Sequence, residues 1–276
     1  MEINWFPGHM AKSTREIESN LKSCDCVVYV LDSRAVRSCF NPNFDRMLNV
    51  PVVYVLGKAD TAPEQVTNEW ITKLSVGGNY AVAINATDAN FRKKLLGAIR
   101  KACALVFERQ RKRGLNVHAR AMVIGVPNTG KSTLINLLCG KARLVTGNRA
   151  GVTRSVTWAR VDETLDLLDT PGTLYPKITD RTVGENLAII GSVKDEVLDV
   201  SELAVALIAR LNGIDGNILG KRFGTDIGED GLNEIARVRG YRARGGEWDT
   251  ERAAAALLDD FRKGRLGKIA LEQANE

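Results

Sequence analysis

A chain of 276 residues, 44% hydrophobic and 26% charged, has the composition of a globular protein long enough to bury a sizeable core. No stretch approaches the roughly 18–20 apolar residues that span a bilayer. Met1–Pro7 lacks a basic segment leading into an apolar run, so neither a membrane span nor a secretory leader is expected, and the expected compartment is cytoplasmic.

The net charge of +6 is unevenly placed. Residues 1–180 hold 25 Lys and Arg against 16 Asp and Glu, whereas residues 181–276 hold 14 against 17. The excess concentrates in 92–120, where ten basic residues face the single acid Glu108. Such a patch either favours a polyanion, nucleic acid before membrane, or is a solvated helix face. Five cysteines at 24, 26, 39, 103 and 139 fit neither a disulfide framework nor a zinc cluster. Cys24-Asp25-Cys26 reads as buried thiols at a helix-to-strand junction.

In chain order, Ser13–Ser23 has helical spacing, with Ile17 and Leu21 four apart. Cys26–Leu31, Pro51–Leu56 and Tyr80–Ile84 are short apolar runs that read as buried strands, with a helix over Glu64–Leu74 between the last two. Phe91–Arg113 reads as one long amphipathic helix with Phe91, Leu95, Ile99 and Cys103 on its apolar stripe. Ala121–Ile124 is a strand, Ser132–Leu138 a helix, and Val156–Val161 with Leu165–Leu168 a strand pair. Strands alternating with helices predict an α/β fold with a mostly parallel sheet covered on both faces. Beyond Asp180 the pattern turns helical, over Val183–Gly191, Ser201–Leu211, Gly231–Arg239 and Thr250–Lys263, punctuated by glycines. The expected division is an α/β domain over 1–180 and a smaller all-helical domain over 181–276.

Gly125-Val126-Pro127-Asn128-Thr129-Gly130-Lys131-Ser132 matches G-x-x-x-x-G-K-[ST] between a strand and a helix, the context in which this loop binds phosphate. Glycine lets the backbone turn tightly, so that Pro127 lines the loop and the N–H groups of Asn128 to Thr133 surround the phosphates. The following helix adds its positive end. Lys131 supplies charge to the terminal phosphates, and Ser132 offers a hydroxyl to Mg²⁺. Asp169-Thr170-Pro171-Gly172 follows at a strand end. Asp169 would hold Mg²⁺ through water, and the Gly172 N–H would reach the γ-phosphate. Thr153, between the two motifs, either closes over Mg²⁺ or is an ordinary loop residue.

In small GTPases the base is read by N-K-x-D after the phosphate loop, and nothing beyond residue 172 fits that pattern. Gly57-Lys58-Ala59-Asp60 lies upstream instead, after the strand Pro51–Leu56. Asp60 would accept the guanine N1–H and N2–H₂, a pair of donors adenine lacks. Lys58 would lie along the base, and Asn85-Ala86-Thr87 would form the second base loop. The order base, base, phosphate, switch, metal is a circular permutation, which closely spaced termini allow.

With these motifs in place, the chain resembles the circularly permuted GTPases of ribosome assembly, most closely the RbgA/YlqF group. The resemblance covers nearly the whole chain. It rests on Trp5-Phe6-Pro7-Gly8-His9-Met10-Ala11-Lys12, Asp32-Ser33-Arg34, Gly57–Asp60, the phosphate loop, Gly147–Thr153 and Asp169–Gly172. It implies a P-loop GTPase domain followed by a helical RNA-binding domain. It also implies GTP/GDP and Mg²⁺ as ligands, and hydrolysis stimulated by a precursor of the large ribosomal subunit and its ribosomal RNA. The chain is expected to act as a monomer.

Three positions depart from the family pattern. Gly57 replaces an asparagine that bonds the base and ties its loop to the phosphate loop, which predicts weaker guanine affinity. Ser33 replaces alanine. Thr173 stands where a hydrophobic residue is usual, and no glutamine follows Gly172 to orient water as in Ras-like enzymes. The resemblance points to His9 for that role, the alternatives being a turn-shaping or RNA contact. His118 reads as structural or RNA-facing. Asn128 resembles the asparagine that coordinates K⁺ in potassium-activated relatives. The Arg-rich segments 237–244 and 262–268 suit phosphate backbone contact. Two other functions stand beside an assembly GTPase: a nucleotide-gated RNA-binding module with weak or incidental hydrolysis, and a P-loop kinase. Asp169–Gly172, and the lack of an acceptor site, argue against the kinase.

Overall fold

The structure, a computed structural model, describes residues 8–85, 88, 90–140, 156–175, 177–225, 227–228 and 230–275. Its first part comprises α1 (Gly8–Leu21), β1 (Cys26–Asp32), α2 (Pro42–Asp45), β2 (Val52–Gly57), α3 (Glu64–Leu74) and β3 (Tyr80–Ala83). There follow α4 (Phe91–Ala102), α5 (Ala104–Lys112), β4 (Ala119–Ile124), α6 (Lys131–Cys139), β5 (Thr157–Asp162) and β6 (Leu165–Asp169). Five helices complete it: α7 (Arg181–Ile189), α8 (Val200–Ile214), α9 (Asn217–Phe223), α10 (Gly231–Arg239) and α11 (Thr250–Arg262).

The six strands form one sheet in the order β3-β2-β1-β4-β6-β5. All pairs are parallel except the edge pair β5–β6. Every residue of β1 is buried, as expected of a central parallel strand with helices on both faces. On one face α4, α5 and α6 bring Leu95, Ile99, Phe107 and Leu134 against Val28, Val53 and Val123. On the other, Tyr29, Met122 and Leu168 pack with Ile17 of α1, Leu187 of α7 and Leu257 of α11 in one continuous apolar cluster. This is the expected α/β architecture with a helical C-terminal region.

Some boundaries differ from the expectation. α1 begins at Gly8 rather than Ser13. The helix predicted over 91–113 is two helices that meet at Cys103, whose Sγ lies 3.4 Å from the Cys26 Sγ at the base of β1. The apolar stripe continues across the break, since Cys103 and Phe107 are both buried; periodicity alone therefore could not reveal it. α9, too short to show a period, was not anticipated. Cys24 and Cys26 are buried thiols at a helix-to-strand junction, as expected. Among the described residues no single helix is long and apolar enough to cross a membrane.

Asp180, Asp199 and Asp249 cap α7, α8 and α11 by accepting backbone N–H bonds, which explains where those helices start. α11 ends against the sheet. Arg34, just past β1, is 1% exposed. Its guanidinium holds both Asp32 carboxylate oxygens, at 2.9 and 2.8 Å, and donates to the Phe261 carbonyl at 2.7 Å. The segment after α11 then runs back along the nucleotide edge of the sheet. Ile269 N–H donates to the Thr61 carbonyl, Leu271 N–H donates to the Arg34 carbonyl, and the Glu272 carboxylate accepts from Ser38 and Asn186.

Burial alone would raise the Asp32 carboxyl, but the charges of Arg34 and Lys58 overcome it and hold it well below the usual carboxylate range. The stability this contributes is full above the unfolded carboxylate value of about 4 and is lost as pH falls toward the depressed native value. Arg34→Ala should destabilise the fold by about 3–5 kcal/mol in denaturant titrations at pH 7. It should also flatten the acid limb of the stability profile. A loss below about 1 kcal/mol would contradict a buried, structure-bearing pair.

Candidate functional site

Because five strands are parallel, the loops after β1, β2, β3, β4 and β6 emerge at one edge of the sheet. That edge is where open α/β sheets place their ligands. The phosphate loop leaves β4 at Gly125, whose φ is +147° and whose added Cβ would lie 2.3 Å from the Val30 carbonyl oxygen of β1. Only glycine fits there. Asn128 is left-handed, with φ 61°, and Gly130 at φ 91° opens α6. Among the described residues only Asn128 and Lys58 are non-glycines with positive φ, and both lie in motifs assigned to nucleotide.

Lys131, first residue of α6, is buried and folds over its own loop, donating to the carbonyls of Gly125 at 3.0 Å and Val126 at 2.8 Å. Burial lowers its ammonium to about 8, partly opposed by the charge of Asp169. Ser132 Oγ donates to Asp169 Oδ2 at 2.9 Å. Burial raises the Asp169 carboxyl, against the charge of Lys131 and the Ser132 bond. The other oxygen, Asp169 Oδ1, is buried without a hydrogen-bond partner. A carboxylate oxygen left unsatisfied beside a serine hydroxyl at a phosphate loop fits a divalent cation or its bound water. Gly172 lies against the same loop, where an added Cβ would come within 2.6 Å of Pro127 Cα and 3.0 Å of Lys131 Nζ. Its backbone is therefore in place beside the Lys131 ammonium. Thr173 N–H donates to the Gly125 carbonyl at 3.3 Å. The Thr173 side chain is buried with its hydroxyl unpaired; it packs inward rather than presenting a group to water.

The upstream motif comes to the same edge. Gly57 ends β2, and an added Cβ would sit 3.3 Å from the Thr129 carbonyl of the phosphate loop. The segment Gly57–Asp60 and the phosphate loop are thus adjacent in space, although about seventy residues separate them in the chain. Ala59 N–H donates to the Ile84 carbonyl, which joins this segment to the one after β3. Lys58 directs its ammonium onto Asp32 Oδ2 at 2.9 Å, and Asp60 is exposed on the following 3-10 turn. Asn85 is half-buried just beyond β3. Thr133 is exposed in the first turn of α6. Ala86, Thr87 and Thr153 lie outside the described residues, as does the His9 side chain, although its backbone belongs to α1.

Two features were not anticipated. Ser33 donates both its N–H and its hydroxyl to the Gly57 carbonyl, at 3.0 and 2.7 Å; two departures from the family pattern meet here. Asn128, the residue assigned to K⁺, donates its amide to the Gly191 carbonyl at 2.6 Å, and Ser192 Oγ donates to the Pro127 carbonyl at 2.7 Å. Gly191 and Ser192 follow α7 and carry no motif that would have linked them to the loop. His118 is structural in its contacts: its backbone is held by Gln110, and its Nε2 lies 3.3 Å from Asp166 Oδ2.

A glycine-bent loop before a helix, a buried lysine over it, a serine–aspartate pair and an adjacent base loop together define a P-loop GTPase whose strand order is permuted. Residues 120–218 match the family described as 50S ribosome-binding GTPase. That match starts at β4, and Gly57–Asp60 and Asn85 precede it. The chain is 36% identical over 283 residues to ribosome biogenesis GTPase A of Priestia megaterium, covering 100% of this chain and 98% of that protein. It is 30% identical over 279 residues to the namesake from Thermotoga maritima, covering 99% and 95%. The GNP-bound crystal structure of YlqF from T. maritima superposes with a TM-score of 0.67 at 26% identity, covering 96% of this chain and 99% of that one. The GDP-bound form of the same protein gives 0.68 at 25% identity, covering 95% and 100%. The chain belongs to the ribosome biogenesis GTPase A family. It binds guanine nucleotide, hydrolyses GTP and serves ribosome biogenesis.

Phosphate oxygens favour the charged form of Lys131, so nucleotide binding should take up a proton once pH exceeds about 8. Affinity for GDP is expected to fall between pH 7 and 9, and calorimetry in buffers of different ionisation enthalpy should show the uptake. Binding heats independent of buffer at pH 9 would refute the assignment. Gly57→Asn places an amide beside the Thr129 carbonyl and the base. It should tighten GDP binding about 5–10-fold in a fluorescent-nucleotide titration, the equivalent of about one hydrogen bond. Unchanged affinity would show that the asparagine's absence does not limit binding.

Proposed function

We propose that this GTPase acts late in assembly of the large ribosomal subunit, binding a precursor in the GTP state and leaving after a hydrolysis step that the subunit stimulates. The observation that carries this reading is the pairing of a complete nucleotide edge with a site that supplies no group after Gly172 to orient water. Thr173 is turned into the core, so fast turnover needs a partner or a residue from elsewhere. His9, at the start of α1, is assigned that role, since an imidazole can accept or relay a proton.

Mg²⁺ is assigned to the Ser132 hydroxyl and, through water, to Asp169, with Thr153 closing over it when triphosphate is bound. Bound there, it would neutralise charge on the β- and γ-phosphates. The free Asp169 oxygen supports that placement. K⁺ is assigned to Asn128. Asp60 reads guanine, with Lys58, Asn85, Ala86 and Thr87 around the base.

Residues 1–180 form the nucleotide domain in this reading, and 181–276 the domain that meets ribosomal RNA. Support for the latter comes from the end of α10, where Arg237 is exposed, and from the hairpin between α10 and α11, where Arg242 lies 3.8 Å over the Trp248 ring and Arg244 is exposed. Guanidinium and aromatic faces of this kind suit phosphates and unstacked bases.

The test is GTP turnover with and without large subunits, in K⁺ and in Na⁺. Turnover is expected to rise at least tenfold with subunits and to be faster in K⁺. His9→Ala should abolish most of the stimulation while leaving GDP affinity intact. Turnover indifferent to subunits would remove the leading reading and favour a nucleotide-gated RNA-binding module. Undiminished stimulation in His9→Ala would remove His9 from the reaction.

A further inference from the structure

The phosphate loop is held from outside as well as from within. Its inner half is fixed by Lys131 on the Gly125 and Val126 carbonyls. Its outer half is fixed by the turn after α7: the Gly191 carbonyl accepts from the Asn128 amide, and Ser192 Oγ donates to the Pro127 carbonyl. What sets that turn is a residue seventy positions further on. Arg262, the last residue of α11, donates Nε to the Ile189 carbonyl at 3.1 Å and Nη2 to the Ala188 carbonyl at 2.9 Å. Asp195 holds the other side of the guanidinium, accepting from Nη1 and Nη2 at 2.7 Å each. The guanidinium lies against Gly191, where an added Cβ would stand 3.3 Å from Nε and 3.6 Å from Cζ, and Gly191 has φ +82°. A planar cation thus caps the C-terminal carbonyls of α7 and fixes the left-handed turn whose carbonyl meets the phosphate loop.

We propose that Arg262 is a positioning residue for nucleotide binding, acting through Gly191 on Asn128. Asn128 needs such help, because a left-handed φ of 61° is uncommon for a non-glycine and persists only where its surroundings hold it. Its conformation aims the neighbouring N–H groups of the loop, so a loose Gly191 turn means a loop that must be ordered when phosphate arrives. The same α11 terminus takes the Arg34 guanidinium on its Phe261 and Arg262 carbonyls, at 2.7 and 3.3 Å. One helix end therefore braces the phosphate loop through its last side chain and the base loop through its last carbonyls.

The test is a double-mutant cycle on affinity for a fluorescent GDP, using the full chain and no ribosome, so the outcome does not depend on the reading above. Arg262→Ala is expected to weaken GDP binding about tenfold, and Asn128→Ala by a similar factor. The double variant should be no more than about twofold worse than the worse single, because both changes cut one path. Arg262→Lys keeps the charge but not the planar fork that spans Ile189, Ala188 and Asp195, and should recover only part of the affinity. A general loss of stability would instead multiply the two losses, giving about a hundredfold in the double variant. Multiplied losses, or GDP binding at the wild-type level in Arg262→Ala, would overturn the proposal. If Arg262→Ala does not stay folded, Arg262→Gln enters the same cycle with the same two criteria.

Discussion

The constraint on which the rest depends is the buried cation of Arg34. A guanidinium removed from water must have its charge matched and its donors filled. Asp32 supplies the charge, and the C-terminal carbonyls of α11 supply acceptors from the other end of the chain. Both demands are met only if α11 ends where the loops after β1 and β2 begin. Lys58 joins the same carboxylate, so the segment Gly57–Asp60 is fixed by the ion pair that also docks the C-terminal helices. Removing Asp32 or Arg34 strands the other in a buried setting, which is why this pair locates elements better than an exposed one could.

Permutation changes what such a constraint can do. All the nucleotide-facing loops leave the same edge of a parallel sheet, and geometry at that edge is indifferent to the order in which the chain visits them. Covalent order is not indifferent. Past Gly172 the backbone enters α7, whose end touches the phosphate loop again through Gly191 and Ser192. The helices of the C-terminal region are therefore tied to the phosphate side by α7 and to the base side by α11. This arrangement gives guanine nucleotide two mechanical connections to the segment assigned to RNA.

Much of this was legible in the sequence because local chemistry determines it. Gly125 must be glycine against Val30, Lys131 must follow a tight turn, and apolar runs such as 26–31 can only be buried strands. The upstream segment Gly57–Asp60 was singled out by its composition and the strand before it, and the sheet order explains how it reaches the phosphate loop. What escaped was set by contacts distant in sequence. The break between α4 and α5 falls at Cys103, where its thiol meets one in β1. Ser33 showed only as a departure from pattern, and its purpose appears once the Gly57 carbonyl lies beside it. Nothing near Gly191 or Arg262 advertises a nucleotide, since the one acts through a carbonyl and the other through a helix end.

The placement of residues 261–272 has a consequence for the chain during its own synthesis. They are made after every strand of the sheet and after both nucleotide motifs. Until they emerge, the Arg34 donors and the Thr61 and Arg34 carbonyls lack the partners that residues 261–271 bring. N-terminal segments ordinarily fold first as a polypeptide lengthens. Here the α/β core can collapse early, but its ligand edge lacks these contacts until residues 261–271 have been made. A nascent chain that stops before Phe261 has its strands and both nucleotide motifs but not the contacts that brace the loops after β1 and β2.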